Sequence, residues 1–164
     1  MNPEYWLQVT GSVVREGLEK GERMLFLTGL YPVSRIMGLL ESNGYPRPVS
    51  SDHGQVMHEQ ATRFLLQDGW LDPQAVMSNL AQATAKACQQ GYAGLRVIAD
   101  MNWASYLRGT LHHLIEYERQ MHERFMNSCP CLVVCHYERM LFPPHILELL
   151  QDLHHVSFGD GAPQ

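Results

Sequence analysis

The most constraining feature of the chain is an apolar run from Leu95 to Ala99 that ends abruptly in Asp100 and is followed by Asn102 and Trp103. A short, continuously apolar run is typical of a buried strand in a parallel sheet. The carboxyl ends of such strands face the ligand crevice in α/β proteins. Asp100 is therefore expected either to contact a ligand or to cap the following helix. Trp103 is favoured as a core residue over a stacking platform, and its indole N–H then needs a partner.

Strand-length and helix-length patterns alternate along the rest of the chain. Candidate strands cover 24–28, 55–59, 95–99, 132–135 and 155–158. Helical spacing places Trp6, Val9, Val13 and Gly17 on one face of a first helix, and a long helix is predicted over 105–125. This alternation predicts a three-layer α/β fold, with a mostly parallel sheet flanked by helices on both faces.

Length and composition suit one globular domain. The chain has 164 residues, of which 45% are hydrophobic and 18% are charged, so it can bury a core without a disulfide or a metal. Because the sequence has no internal repeat, low-complexity tract or interdomain linker, we expect a single domain over 1–158. The tail, 159–164, is expected to be disordered.

The charge balance and the cysteine pattern argue against several classes of partner and location. The chain has 12 Lys and Arg residues against 17 Asp and Glu residues and no basic run, so direct nucleic-acid binding is not expected. No apolar stretch approaches the roughly 20 residues of a membrane span, and residues 1–11 lack the basic start of a signal peptide. The four cysteines do not resemble a secreted disulfide framework. These features predict a cytoplasmic protein with reduced thiols and no membrane partner.

Glu118 falls inside the apolar stripe of the predicted long helix, four residues after Leu114, whereas Glu116 is off that face and should be solvated. The stripe consists of Leu107, Leu111, Leu114, Met121 and Phe125. A buried carboxylate is costly unless it is paired or hydrogen-bonded. Glu118 is therefore either a structural residue that bonds nearby backbone, or a residue that lines the ligand crevice or anchors the strand-end loop through Arg96 or Arg108.

No cysteine or histidine spacing predicts a metal site. Cys129, Cys131, Cys135 and His136 offer thiolate and imidazole donors, but alternate residues of a strand point to opposite faces. Cys131 and Cys135 would share one face and His136 the other, so buried reduced thiols are the favoured interpretation. No cofactor is predicted, and a bound chromophore or metal is left open.

Catalytic and nucleotide-binding signatures are missing from the sequence. It contains no Gly-x-Ser-x-Gly elbow, no Gly-x-x-x-x-Gly-Lys-[Ser/Thr] phosphate loop and no Gly-x-Gly-x-x-Gly fingerprint. An enzyme that uses Asp100 and Glu118 as a general acid/base pair is the weakest hypothesis, because no nucleophile, metal cluster or cofactor loop accompanies the pair. The chain is not expected to be an enzyme.

Four segments in order carry a resemblance to a known family. They are EGLEKGERMLFL (16–27), GYAGLRVIADMNWA (91–104), the Glu116-Tyr117-Glu118 triplet and CLVVCHYERMLFPPHIL (131–147). Together they resemble the MEDS family, the methanogen/methylotroph dichloromethane-regulator sensory domain. The family-like positions are Arg96, Asp100, Trp103, Glu116, Tyr117, Glu118, Tyr137, Arg139 and Phe142. Residues 1–11 lack the strand and His-containing segment with which the family pattern usually opens, and 55–70 matches loosely.

The resemblance implies a non-catalytic sensory domain of prokaryotic signalling proteins, which senses small hydrocarbon derivatives and is associated with histidine kinases or transcription regulators. The order of elements also resembles a RecA/KaiC-type core without its phosphate loop. We expect a small organic ligand at the strand carboxyl ends, an output protein of one of these classes, and a homodimer as one candidate assembly. The expected lining residues are Thr28, Asp100, Asn102, Trp103, Glu118, His136 and Tyr137. The alternative is a ligand-free interaction module that docks through the Trp6 helix face and the helix opened by Pro143-Pro144.

Overall fold

The computed structural model describes residues 3–29, 32–45, 54–106, 110–125 and 128–154. Its helices are α1 (Pro3–Glu19), α2 (Val33–Ser42), α3 (Ala61–Leu65), α4 (Pro73–Gln89), α5 (Thr110–Gln120) and α6 (Pro144–Leu153). Its strands are β1 (Arg23–Thr28), β2 (Val56–Gln60), β3 (Leu66–Gln67), β4 (Trp70–Leu71), β5 (Leu95–Asp100) and β6 (Cys131–His136). A 3-10 helix (Asn102–Tyr106) follows β5, and a π-helical turn (Met121–Phe125) continues α5.

Four strands form a parallel sheet in the order β2-β1-β5-β6. In its register Leu27 lies opposite Ala99, and Asp100 lies opposite His136. The four predicted strands that fall within the described residues are confirmed, each to within a residue at its ends. The strand candidate over 155–158 and the tail over 159–164 lie outside the described residues, and the domain boundary at 158 stays a prediction.

Helices cover both faces of this sheet because its strands are apolar on both sides. Met24, Phe26 and Ile98 pack against α1 and α2 on one face, here called the α1/α2 face. Leu25 and Val97 point the other way, toward a larger core built from α3 to α6, here called the α4/α5 face. The predicted three-layer α/β fold with a parallel sheet is therefore confirmed. Within the described ranges, no helix is both long and apolar enough to cross a membrane.

The predicted long helix over 105–125 ends at Phe125 as predicted, but its start is wrong. A 3-10 helix occupies 102–106, α5 begins only at Thr110, and the last turn is π-helical. The wide π turn adds a residue to the helical repeat, and Met121 and Phe125 both remain buried. Leu107 and Arg108 lie outside the described residues.

A short hairpin, β3-β4, was not predicted. Its two-residue turn consists of Asp68 and Gly69, whose φ angles are 49° and 81°. Positive φ at both central residues is what a tight hairpin turn requires, and Asp-Gly is a favoured sequence for it. The flanking strands are too short to show alternation, so the sequence signal was limited to this dipeptide.

Arg96 fastens α1 to the sheet and has no role at Glu118. Its buried guanidinium lies 2.5 Å from the Glu22 carboxylate and 3.0 Å from that of Glu16 on α1. A Cβ on Gly17 would lie 2.7 Å from Met24 Sδ and 3.0 Å from Arg96 Cδ, so a larger residue there would force one of these side chains to shift. The alternative in which Glu118 anchors the strand-end loop through Arg96 is wrong, because Arg96 pairs with Glu16 and Glu22 whereas Glu118 contacts Tyr137 and His154.

Candidate functional site

The carboxyl ends of β1 and β5 meet where the chain changes direction across the sheet. From β1 the chain passes to β2 on one side and later returns to β5 on the other. Ligands of open α/β sheets bind at such topological switch points. A cavity of about 30 Å³ opens there on the α1/α2 face. It is lined by Trp6, Phe26, Leu27, Thr28, Ile36, Ile98, Asp100, Asn102 and His136.

Asp100 combines the two roles that the sequence left open. Its Oδ1 accepts a hydrogen bond from the backbone N–H of Asn102 at 3.0 Å, so it caps the 3-10 helix. It also lines the cavity. The buried Asn102 side chain accepts from the backbone N–H of Glu138 at 2.7 Å and thereby ties the end of β5 to the exit from β6.

His136 is the register partner of Asp100 and lines the cavity beside α1. Its Nε2 lies 3.3 Å from the Thr10 hydroxyl oxygen, and its ring contacts that of Trp6 at a centroid distance of 5.9 Å. Burial lowers the pKa of His136 to about 4, although the charge of Asp100 opposes this shift. The imidazole is therefore neutral near pH 7 and offers one donor and one acceptor.

Four of the seven expected lining residues come together at this cavity: Thr28, Asp100, Asn102 and His136. Trp103, Glu118 and Tyr137 instead belong to the α4/α5 face. Side chains of a strand alternate between faces, so Tyr137, one residue beyond His136, turns to the opposite side. Trp6 and Ile36 also line the cavity, although the sequence did not predict this. The sequence signal for Trp6 was the apolar stripe of α1, which was assigned to a docking face in the alternative function.

Trp103 packs in the larger core with 5% of its surface exposed. The preference for a core role over a stacking platform is therefore confirmed. Among the described residues, the indole N–H finds no hydrogen-bond acceptor.

Glu118 belongs to a second polar cluster on the α4/α5 face. The Tyr137 hydroxyl donates a hydrogen bond to Glu118 Oε1, and His154 Nε2 lies 3.7 Å from Oε2. Burial raises the pKa of Glu118, against the lowering effects of His154, Tyr137 and Cys135. Phe142 packs edge-on against the ring of Tyr137, with 5.4 Å between the ring centroids, and so supports this cluster.

The remaining family-like positions are structural or exposed. Glu116 lies off the buried face, as predicted, and pairs with Arg119 at 2.7 Å. Tyr117 is fully enclosed in the larger core, whereas Arg139 is exposed.

Asp100 and Glu118 cannot act together as an acid/base pair. Asp100 lines the cavity on the α1/α2 face, whereas Glu118 is enclosed among side chains on the other side of the sheet. A general acid and a general base must reach the same reacting group. The sheet that separates them removes the geometric basis of that hypothesis.

The fold and the cavity define a three-layer α/β binding domain whose polar groups gather at the strand carboxyl ends. The chain belongs to the family described as MEthanogen/methylotroph, DcmR Sensory domain (MEDS), which it matches over residues 1–155. MEDS is a sensory-domain family, which supports a regulatory sensing role for the chain. Neither a curated protein nor a solved structure matches it.

Proposed function

We propose that the chain is a cytoplasmic, prokaryotic regulatory domain that binds a small organic molecule at the carboxyl ends of β1 and β5. The observation that carries this proposal is the cavity at the switch point, where apolar walls meet a few convergent polar groups. Small-molecule sites typically combine these two features. The four free cysteines support a reducing location.

The lining suits a small hydrocarbon derivative with one polar end. Trp6, Ile36 and Ile98 offer apolar contacts, while Asp100 and neutral His136 offer hydrogen-bonding groups. Such a set would hold an alkyl or haloalkyl group against the helices and a polar atom at the strand ends. A ligand of high charge would be disfavoured because the walls are mainly apolar.

The present cavity is small and would have to widen. About 30 Å³ is room for a single water molecule, so a larger ligand must move α1 or α2 away from the strand ends. A ligand that binds the open arrangement better than the closed one shifts the population toward it. This shift would be the signal that reaches an output protein, such as a histidine kinase or a transcription regulator, directly or through a homodimer contact.

The second candidate is a ligand-free module that docks on such a regulator. It is favoured by the outer face of α6, where Leu149 is 47% exposed. The other expected contact is weakened because Trp6 turns toward His136 and the cavity. The two functions differ in whether a small molecule stabilises the isolated chain.

A thermal-shift titration tests the proposal. The probes are dichloromethane, methanol, 1-propanol and propionate, each in sealed samples. A ligand at about 100 times its Kd stabilises the folded state by about 2.7 kcal/mol, which raises the Tm of a domain of this size by several degrees. At least one probe should do so.

Two phenylalanine substitutions in α2 test whether the gain in Tm arises from binding in the cavity. Ile36→Phe fills the cavity and should abolish the gain in Tm, whereas Leu39→Phe adds the same ring at a position that is 39% exposed and should leave the gain intact. A gain that persists undiminished in Ile36→Phe contradicts the site. A complete lack of gain with every probe favours the docking module.

A further inference from the structure

Three potential metal ligands converge on the α4/α5 face, across the sheet from the cavity. A Glu118 carboxylate oxygen, Cys135 Sγ and a His154 ring nitrogen all lie within 4.8 Å of one another. We propose that these residues form a zinc site with three protein ligands and a fourth position open to exchange. The site is independent of the proposed organic ligand because it uses none of the cavity's side chains.

The donor set suits a borderline-soft divalent ion. Zinc is bound by thiolate, imidazole and carboxylate, and three protein ligands with an open position distinguish an exchangeable site from a closed structural one. Bonds of about 2.0–2.3 Å place tetrahedral ligand atoms roughly 3.3–3.8 Å apart. For a nitrogen and an oxygen ligand the separation is about 3.3–3.5 Å, and the 3.7 Å between His154 Nε2 and Glu118 Oε2 is close to it.

The orientation of His154 directs one ring nitrogen toward the proposed site. Its Nδ1 lies 2.5 Å from the carbonyl oxygen of Leu150, and a carbonyl only accepts, so Nδ1 carries the proton. In the neutral ring Nε2 then has a lone pair directed toward the Glu118 carboxylate. A positive centre between these two atoms, either a proton or a metal ion, satisfies both of them. A metal-ligating histidine typically donates its other N–H to a carbonyl in this way.

Tyr137 supplies the outer partner that such a site needs. Its hydroxyl donates to Glu118 Oε1, which leaves Oε2 directed toward His154. A thiolate and a carboxylate together carry two negative charges, which one divalent ion neutralises. On binding, the ion forms bonds to sulfur, oxygen and nitrogen, and the thiol and the carboxyl group release their protons to solvent.

The three ligands come from separate elements, and one of them gives access. Cys135 is held in β6 opposite Ala99, Glu118 lies on α5, and His154 follows the last residue of α6. The side chain of Glu118 is 7% exposed, whereas that of His154 is 27% exposed, so an ion can enter at the end of α6. A bound ion would cross-link α5, β6 and α6.

The donors that lie close together in the sequence are not the ones that converge in the structure. Cys131 and Cys135 do share one face of β6, as the sequence analysis expected, while His136 turns to the α1/α2 face. The histidine that reaches Cys135 is His154, which lies 19 residues further along the chain than Cys135. This pairing depends on the packing of α6 against α5 and is not visible as a local motif.

Cobalt titration of the full chain, after removal of metals with a chelator, tests the proposal. Cobalt(II) in a tetrahedral site with a thiolate ligand gives visible d–d bands and a near-ultraviolet charge-transfer band. Both should saturate at one equivalent and disappear when zinc displaces the cobalt. The lack of a saturable spectrum, or a spectrum without the charge-transfer band, overturns the proposal.

Matched variants assign the ligands. Cys135→Ser should abolish the charge-transfer band, and Cys131→Ser, on the same face of the same strand, should retain it. Tyr137→Phe should weaken cobalt binding about 10- to 100-fold through loss of an outer partner, and His154→Gln should weaken it more. Because His154 is partly exposed at a helix end, His154→Gln should remain folded and give a cobalt affinity even if a β6 variant unfolds. A band that survives Cys135→Ser, or affinity unchanged in His154→Gln, contradicts the site.

Discussion

A Cβ atom on Gly29 would lie 2.8 Å from Asp100 Oδ2, so the carboxylate of β5 occupies the space next to the residue that follows β1. The same carboxylate caps the 3-10 helix through the Asn102 N–H. The ends of the two central strands are therefore fitted to each other at the edge where the cavity opens. Substitutions at this edge should affect stability and ligand binding together.

Gly29→Ala should displace the Asp100 carboxylate from its capping position. The predicted contact is closer than real Cβ atoms tolerate, and relief of such overpacking costs about 1–3 kcal/mol. Gly38→Ala is the control, because Gly38 lies in α2 with open space around its Cβ position, and it should stabilise by about 0.5–1 kcal/mol. Urea unfolding measures both. Equal effects of the same sign would contradict the fitted edge.

The capping role of Asp100 can be separated from its role at the cavity. Asp100→Ala removes the hydrogen bond to Asn102 and should cost about 1 kcal/mol, whereas asparagine can also cap and should cost little. Both variants remove the negative charge from the cavity. Because Asp100 lines the cavity, the affinity for the probe should fall in both variants. An unchanged affinity in Asp100→Asn would show that the residue acts only as a cap.

His136 should make stability depend on acid pH. Its folded pKa is about 4, below the ordinary value of 6.5, so between these values the unfolded chain binds more protons. Stability present above pH 6.5 is therefore lost as the pH falls toward 4, by up to about 3 kcal/mol. To isolate this contribution, the free energy of unfolding of His136→Gln is subtracted from that of the wild type at each pH from 7 to 4. A difference that does not change with pH would contradict the prediction.

The two carboxylates that pair with Arg96 should contribute unequally to the free energy of unfolding. The side chain of Glu22 is 18% exposed, whereas that of Glu16 is 53% exposed, and the guanidinium between them is buried. Hydrogen bonds from Lys20 and Arg96 lower the pKa of Glu16 to about 2, but water screens a pair this exposed. Glu22→Gln should therefore cost about 1–3 kcal/mol and Glu16→Gln less than about 1 kcal/mol. Chemical denaturation measures both, and the reverse order would contradict this account.

The sequence could predict features that depend on local pattern. The apolar run before Asp100 identified β5. Asp72 followed by Pro73 is a typical N-cap and first-turn pair, and α4 begins there with Asp72 Oδ1 accepting from the N–H of Gln74 at 2.9 Å. The burial of Glu118 also followed from helical spacing. Each of these features depends only on the periodicity of one helix or strand and on the residues at its end.

The partners across the sheet could not be predicted in the same way. Glu118 was expected beside Asp100, but which face of the sheet α5 covers depends on the handedness and order of the crossovers. Its contacts with Tyr137 and His154 depend further on how α6 packs. The 3-10 helix and the π turn were missed because each departs from the 3.6-residue period on which the prediction of one long helix rested.

Methyl NMR of the isoleucines tests the proposed sensing site most directly. Ile36 and Ile98 line the cavity, whereas Ile146 is equally buried but lies on α6 at the opposite face. The probe that raises the Tm most should shift the Ile36 and Ile98 methyl signals along one saturable curve and leave Ile146 unmoved. Saturable shifts at Ile146 alone, with Ile36 and Ile98 unchanged, would contradict a ligand site at the carboxyl ends of β1 and β5.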